Sequence, residues 1–218
     1  MQRREFLEKM LLTVPGACMA SLAAHAAGEE QEHPLPAVDL DFLADGLALV
    51  PRSDWTDTDP VYWRMRAAGK YERLTVHHSG ARVKRSAKRV DVVAQLDAVL
   101  TSHRQRRYGD IGYHFVVDYA GRVWEGRSLA YEGAHVAHEN RENLAVMVLG
   151  NYETQDPSIR QLSALRTVVT RLCRRFKIEH GAVYGHRDLG ASVCPGRRLY
   201  PYVRAIRALQ SAAKPTET

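Results

Sequence analysis

The sequence predicts an α/β domain in which a central mixed β-sheet is flanked by about three helices, and three observations carry that expectation. Asn143–Leu149 is an almost unbroken apolar run, as a strand buried on both faces requires. Val90–His103 and Ser158–Phe176 repeat apolar residues at helical spacing, with charges on the remaining positions. Gly112–Val117 and Arg122–Gly126 flank Asp118-Tyr119-Ala120-Gly121, a turn composition between two β-rich runs, which predicts a hairpin. With 218 residues the chain is long enough for one core of ordinary size without disulfide staples, plus appendages.

The N-terminus reads as one of those appendages. Arg3-Arg4-Glu5-Phe6-Leu7 precedes a weakly apolar, Ala-rich run, Met10–Ala27, that finishes in Ala24-His25-Ala26. A basic start, an apolar middle and small residues at the end follow the order of an export signal. The pattern Arg-Arg-x-Phe-Leu resembles the twin-arginine kind, which a receptor reads as an address. Residues 1–27 are therefore expected to be a signal peptide, and the run is too short and too weakly hydrophobic for a stable membrane span. Cys18 follows Pro15-Gly16-Ala17, which lacks the aliphatic residue of a lipidation site. The mature protein would be periplasmic or extracellular.

Residues 28–48 read as a linker, polar and Pro-containing over Glu29–Pro36, then 49–212 as the folded domain and 213–218 as a flexible tail. Within the domain, Pro51-Arg52-Ser53-Asp54-Trp55 begins an irregular segment that wraps the core, and Leu74–His77 is the first strand. The break at Ser79-Gly80 leads to the helix whose Val92, Val93, Leu96, Val99 and Leu100 share a stripe. The hairpin and the central strand follow, the latter stopped by Gly150-Asn151. Ser158 supplies capping chemistry for a helix to about Phe176. A short strand, Ala182–Tyr184, and a last helix, Tyr202–Leu209, complete the order β-α-β-β-β-α-β-α, which suits a sheet covered by helices.

The formal charge is +6. Cleavage after Ala26 would remove Arg3, Arg4 and Lys9 against Glu5 and Glu8, leaving +5. A mild positive balance suits anionic polymers without choosing among them. Nucleic acid is disfavoured, because no basic stripe is interleaved with aromatics and Arg104–Arg107 reads as a short solvated cluster.

Three residues point to chemistry. His77 closes an apolar strand, and His186 and Cys194 stand eight residues apart in one loop. Two imidazoles and one thiolate are zinc ligands, and three protein donors with an open fourth position is the pattern of a hydrolytic site. Such a donor set cancels only one of the ion's two charges, so its Lewis acidity survives. The competing reading of Cys194 is a disulfide with Cys173, favoured by an oxidising compartment. Against it, Cys173 falls on the apolar stripe of its helix, where a free cysteine packs as a small hydrophobe. A zinc peptidase of the His-Glu-x-x-His type is not indicated, since the chain has no such motif.

The motifs taken in order are His77-His78-Ser79-Gly80, Gly112-Tyr113-His114-Phe115, Trp124-Glu125-Gly126-Arg127, Gly133-Ala134-His135, Leu149-Gly150-Asn151-Tyr152, and Gly185-His186-Arg187-Asp188 through Cys194-Pro195-Gly196. From about Pro51 to the last helix, the chain resembles the type 2 N-acetylmuramoyl-L-alanine amidases and the related peptidoglycan recognition proteins. The resemblance implies a zinc ion at the floor of a surface groove, held by His77, His186 and Cys194. It also implies cleavage of the amide between N-acetylmuramic acid and L-alanine, with peptidoglycan or muropeptides as partners and the protein a monomer. Tyr113 matches the active-site tyrosine. Ser192, six residues after His186, takes a position where relatives carry lysine or a small hydroxyl residue, so it is the second candidate for steadying the oxyanion. Binding-only members tend to lack the cysteine ligand, so Cys194 with Tyr113 favours the enzyme over a non-catalytic binding module.

Of the remaining residues, His78 and His114 should face away from their catalytic neighbours by strand alternation. His103, His138 and His180 read as surface, and His135 as open between groove wall and surface. Trp55, Trp63 and Trp124 read as core or groove wall, with an exposed Trp124 suited to stacking a sugar. Arg127 would meet a peptide carboxylate or hold a surface ion pair.

Overall fold

The computed structural model describes residues 34–81 and 85–209; the expected signal peptide and the 213–218 tail lie outside them. In chain order the elements are α1 (Asp41–Ala44), β1 (Leu49–Val50), β2 (Arg73–His78), α2 (Arg89–Gln105), β3 (Phe115–Val117) and β4 (Val123–Glu125). They continue with β5 (Asn143–Val148), α3 (Ile159–Phe176), β6 (Val183–Gly185), α4 (His186–Leu189) and α5 (Tyr200–Ala208). The strands form one sheet in the order β1-β4-β3-β5-β2-β6. All neighbours are parallel except the β3–β4 hairpin, which makes the sheet mixed, as expected.

β5 is buried at every position because helices cover both faces of the sheet. Its side chains alternate between them. Leu144, Val146 and Val148 pack with Leu74 and Val76 of β2 against Leu165, Val168, Val169 and Leu172 of α3 and Val203 and Ile206 of α5. Met147 faces the other way, with Val116 and Trp124, onto Val92, Leu96 and Leu100 of α2. α2 and α3 are the helices that the periodicity predicts, and α5 answers to the expected last helix, starting two residues earlier. Among the described residues, no helix is long and apolar enough to cross a membrane.

Part of the 28–48 stretch differs from the expected linker. Leu43 on α1 is fully buried, and Val38, Leu40, Phe42 and Leu47 pack on the same core. The ring of Phe42 meets that of Phe176 edge-on at 6.3 Å, so this stretch buries apolar surface that the isolated sequence leaves without a visible partner.

Candidate metal centre

Register does the first part of assembling the site. Val76 of β2 lies opposite Gly185 of the parallel neighbour β6, so the next residue on each, His77 and His186, leaves the sheet side by side. Neighbouring strands run about 4.8 Å apart, and the two imidazole rings have centroids 4.9 Å apart. Both sit at the C-terminal ends of parallel strands, where α/β sheets habitually place ligands. His186 opens α4, a single helical turn within the stretch read as loop. The chain then returns, and the Arg187 N–H donates to the Cys194 carbonyl at 2.8 Å, tying the two ends of the excursion together. The Asp188 carboxylate accepts from Gly185 N–H at 2.8 Å, from the Tyr200 hydroxyl at 2.5 Å and from Arg207, anchoring the turn to α5.

The donor atoms of His77, His186 and Cys194 all lie within 4.8 Å of one another. His77 Nδ1 is 3.6 Å from Cys194 Sγ. Zinc bonds of about 2.05 Å to imidazole and 2.3 Å to thiolate would put nitrogen and sulfur on one tetrahedral ion about 3.5 Å apart, so the His77–Cys194 pair fits the ion. Cys173 and Cys194 are both free, which removes the disulfide alternative.

The electrostatics suit a cation. Burial lowers the pKa of His77 well below the ordinary histidine value and lowers that of His186, so both rings are neutral at pH 7 with a lone pair to give. Burial pushes the Cys194 thiol up to about 12, while the His78 N–H, donating to Sγ at 3.3 Å, and Arg187 pull the other way. Without a cation the sulfur keeps its proton. Metal binding would therefore expel it.

Tyr113 lies beside the cluster, its ring centroid 5.2 Å from that of His77. Burial, with Cys194 nearby, raises its pKa, so the phenol is a proton-bearing donor at neutral pH and a poor base. Next to it a groove of about 320 Å³ runs along α2, lined by Ser79, Gln95, Val99, Ser102 and Arg106 as well as Tyr113. Ser192 Oγ accepts the Cys194 N–H at 3.1 Å, which shapes the cysteine loop and leaves the hydroxyl proton to donate.

Several expected surface roles give way to burial. His103 and His180 are buried, and only His138 of those three is exposed. Trp124 is completely buried, its indole N–H donating to Asp118 at 2.8 Å, so it cannot stack a sugar, and Trp63 is the tryptophan left 64 % exposed. Arg127 is buried away from the surface with its donors on backbone carbonyls, and the Asp110 carboxylate lies close enough to favour its charge. His78 and His114 are packed, accepting at Nδ1 from the N–H groups of Tyr152 and Ala145. His135 reaches the cluster from behind, with Nδ1 2.9 Å from His77 Nε2. Gly112 makes that approach possible. A Cβ there would lie 2.2 Å from the Ala134 carbonyl oxygen, so only glycine lets the 133–135 stretch cross beside Tyr113.

Known proteins resemble this chain in sequence and fold. Peptidoglycan-recognition protein SC2 of Drosophila simulans is 27 % identical over 161 residues, covering 73 % of this chain and 86 % of its own. The structure of the ectodomain complex of peptidoglycan recognition proteins LCa and LCx bound to tracheal cytotoxin superposes with a TM-score of 0.66 at 27 % identity, covering 72 % of this chain and 95 % of that one. Peptidoglycan recognition protein LE in complex with tracheal cytotoxin, a monomeric diaminopimelic acid-type peptidoglycan, gives 0.65 at 25 % identity, with 72 % and 93 % covered. The family described as N-acetylmuramoyl-L-alanine amidase matches residues 67–197, well over half of the chain, and the protein belongs to it.

Proposed function

We propose that this chain is an exported, zinc-dependent N-acetylmuramoyl-L-alanine amidase that cleaves the bond between N-acetylmuramic acid and L-alanine in peptidoglycan or its fragments. The observation that carries the reading is the meeting of two neutral imidazoles and one thiol, their donor atoms within 4.8 Å of one another, beside a protonated tyrosine. A neutral amide is a poor electrophile. Zinc, when bound, supplies the Lewis acidity that polarises its carbonyl and acidifies water.

The chain's own residues supply the rest. His77, His186 and Cys194 hold the ion at the ends of β2 and β6. Tyr113 donates its O–H toward the oxygen on which charge develops, and Ser192 O–H is the second donor. The groove along α2 takes the polymer on one side of the scissile amide.

The relatives are named for recognition, so binding of peptidoglycan without turnover is the second reading. The test is incubation of the zinc-loaded protein with defined muropeptides, followed by mass spectrometry. Free stem peptide plus intact glycan supports the amidase. Unchanged substrate that co-sediments with the protein supports the binding module. Cys194→Ser should abolish turnover and metal retention while the far-ultraviolet spectrum stays native. Tyr113→Phe should keep zinc and lose about 10²-fold in kcat, the usual cost of one oxyanion donor; near-parental turnover would take Tyr113 out of the chemistry.

A further inference from the structure

The Gly133-Ala134-His135 stretch carries no ligand, yet its histidine decides how a ligand is presented. His135 Nε2 lies 3.1 Å from the Asn143 carbonyl oxygen, and its Nδ1 lies 2.9 Å from His77 Nε2. A carbonyl can only accept, so Nε2 of the His135 ring bears the hydrogen, and in the neutral ring Nδ1 is then an acceptor. The donor that faces it is His77 Nε2–H. That leaves the lone pair of His77 on Nδ1, the atom 3.6 Å from Cys194 Sγ. One backbone carbonyl thus sets the protonation pattern of two rings.

The carbonyl and the ring are both firmly held. Asn143 accepts from the Thr75 hydroxyl at 2.8 Å and donates its side-chain amide to the Glu139 carbonyl at 2.7 Å. Asn140 Oδ1 accepts the backbone N–H groups of His135 and Val136 at 2.8 and 2.9 Å. Gly133 leaves the space for the ring. A Cβ built there would lie 2.5 Å from His135 Cδ2 and 2.8 Å from Nε2, so any side chain at 133 would displace the imidazole.

We propose that His135 is a positioning residue for the metal centre: by accepting from His77 Nε2–H, it locks His77 in the tautomer whose Nδ1 faces Cys194 and His186 as a ready donor. The inference rests on the metal-centre reading above. Without the lock, His77 can turn over or carry its proton on Nδ1, and each ion bound must first reverse that. Partners of this kind behind a metal-bound imidazole are worth roughly 10- to 100-fold in metal affinity.

The test measures zinc dissociation constants by competition with a chromophoric chelator, beside ¹⁵N shifts of the histidine rings in the metal-free protein. His135→Ala should weaken zinc roughly 10- to 100-fold. His135→Asn, which can offer an amide oxygen near the place of Nδ1, should recover much of that loss. Gly133→Ala, which keeps the histidine but displaces it, should reproduce the weakening. In the parent protein the rings of His77 and His135 should both carry hydrogen on Nε2. Affinity within twofold of the parent in His135→Ala, or His77 protonated on Nδ1 in the parent, overturns the inference alone. A parent protein that takes up no zinc overturns the metal-centre reading itself. The ring shifts are read on the parent, so a variant that fails to fold does not remove the test.

Discussion

Arg127 lies almost wholly out of water, and its guanidinium donates to three carbonyl oxygens, those of Ile111 at 2.8 Å, Glu132 at 2.7 Å and Asp110 at 3.1 Å. Burial lowers its pKa to about 10, which leaves it cationic at neutral pH. The side chain therefore fastens the 110–112 approach to Tyr113 onto the 127–132 loop. Arg127→Met keeps the aliphatic bulk and strips the donors from three acceptors. An unsatisfied buried acceptor costs about 1–3 kcal/mol, so the variant should lose about 3 kcal/mol or more in denaturant unfolding. A loss under about 1 kcal/mol would mean that the carbonyls find other donors. Nothing in the sequence names those partners, because a backbone carbonyl has no residue type. His103 is different. It follows Leu96 and Leu100 on one stripe of α2, a spacing that argues for the buried side against the surface reading given to this histidine. The candidate ligands were legible because strand end and loop are written in local pattern, whereas the contact of His135 with His77 depends on a crossing 58 residues away in sequence.

Among the elements, α3 shows how a sequence signature becomes tertiary structure. Ser158 Oγ accepts the Gln161 N–H at 3.1 Å, and Gln161 Oε1 accepts the Ser158 N–H at 3.0 Å, a reciprocal cap at the helix start. The same two side chains reach outward. Ser158 O–H donates to the Tyr119 carbonyl in the hairpin turn at 2.9 Å, and Gln161 Nε2 donates to the Leu149 carbonyl just past β5 at 3.0 Å. Ser158→Ala should cost about 1–2 kcal/mol, more than a typical cap alone, because the turn loses a partner as well. Thermal unfolding of the variant checks this, and a cost of only a few tenths would show the hairpin contact to be idle. Ser158 was readable beforehand because capping is local chemistry. The two residues of β1 and the four each of α1 and α4 were not, since none spans enough chain to display a period. Pairing and packing create them: β1 exists through its register with β4, and α1 through Leu43 against the core.

A sheet covered on both faces also buries titratable groups, and that sets how the molecule responds to acid. His114 is completely buried, with Nδ1 accepting the Ala145 N–H at 3.0 Å and Nε2 3.0 Å from the Tyr131 carbonyl. His103 Nδ1 accepts the Gly112 N–H at 2.8 Å. Each ring accepts at Nδ1 when neutral, and a proton added there would set N–H against N–H. Burial lowers both to about 4, with Arg106 and Arg127 adding repulsion to His103 and Arg127 to His114. In the unfolded chain both return to about 6.5. Between these values the unfolded state binds protons that the folded state refuses, so stability must fall as pH falls through this window. Each histidine contributes about 1.4 kcal/mol per pH unit there, and the two together about 2.7. The slope is half developed at pH 6.5 and fades above about pH 7.5, and below pH 4 it levels off. The formal charge of +6 grows in the same direction, which adds self-repulsion to the compact state. Urea unfolding of the metal-free protein at pH 7, 6 and 5 should show a loss from these two rings of about 1.4 kcal/mol over the first step and about 2.3 kcal/mol over the second. His103→Asn, whose amide oxygen can take the Gly112 N–H without titrating, should make the loss shallower by about 1.4 kcal/mol per pH unit. A stability profile flat from pH 7 to 5 would mean that these rings protonate in place, and the account of a sheet that keeps its histidines neutral would fail.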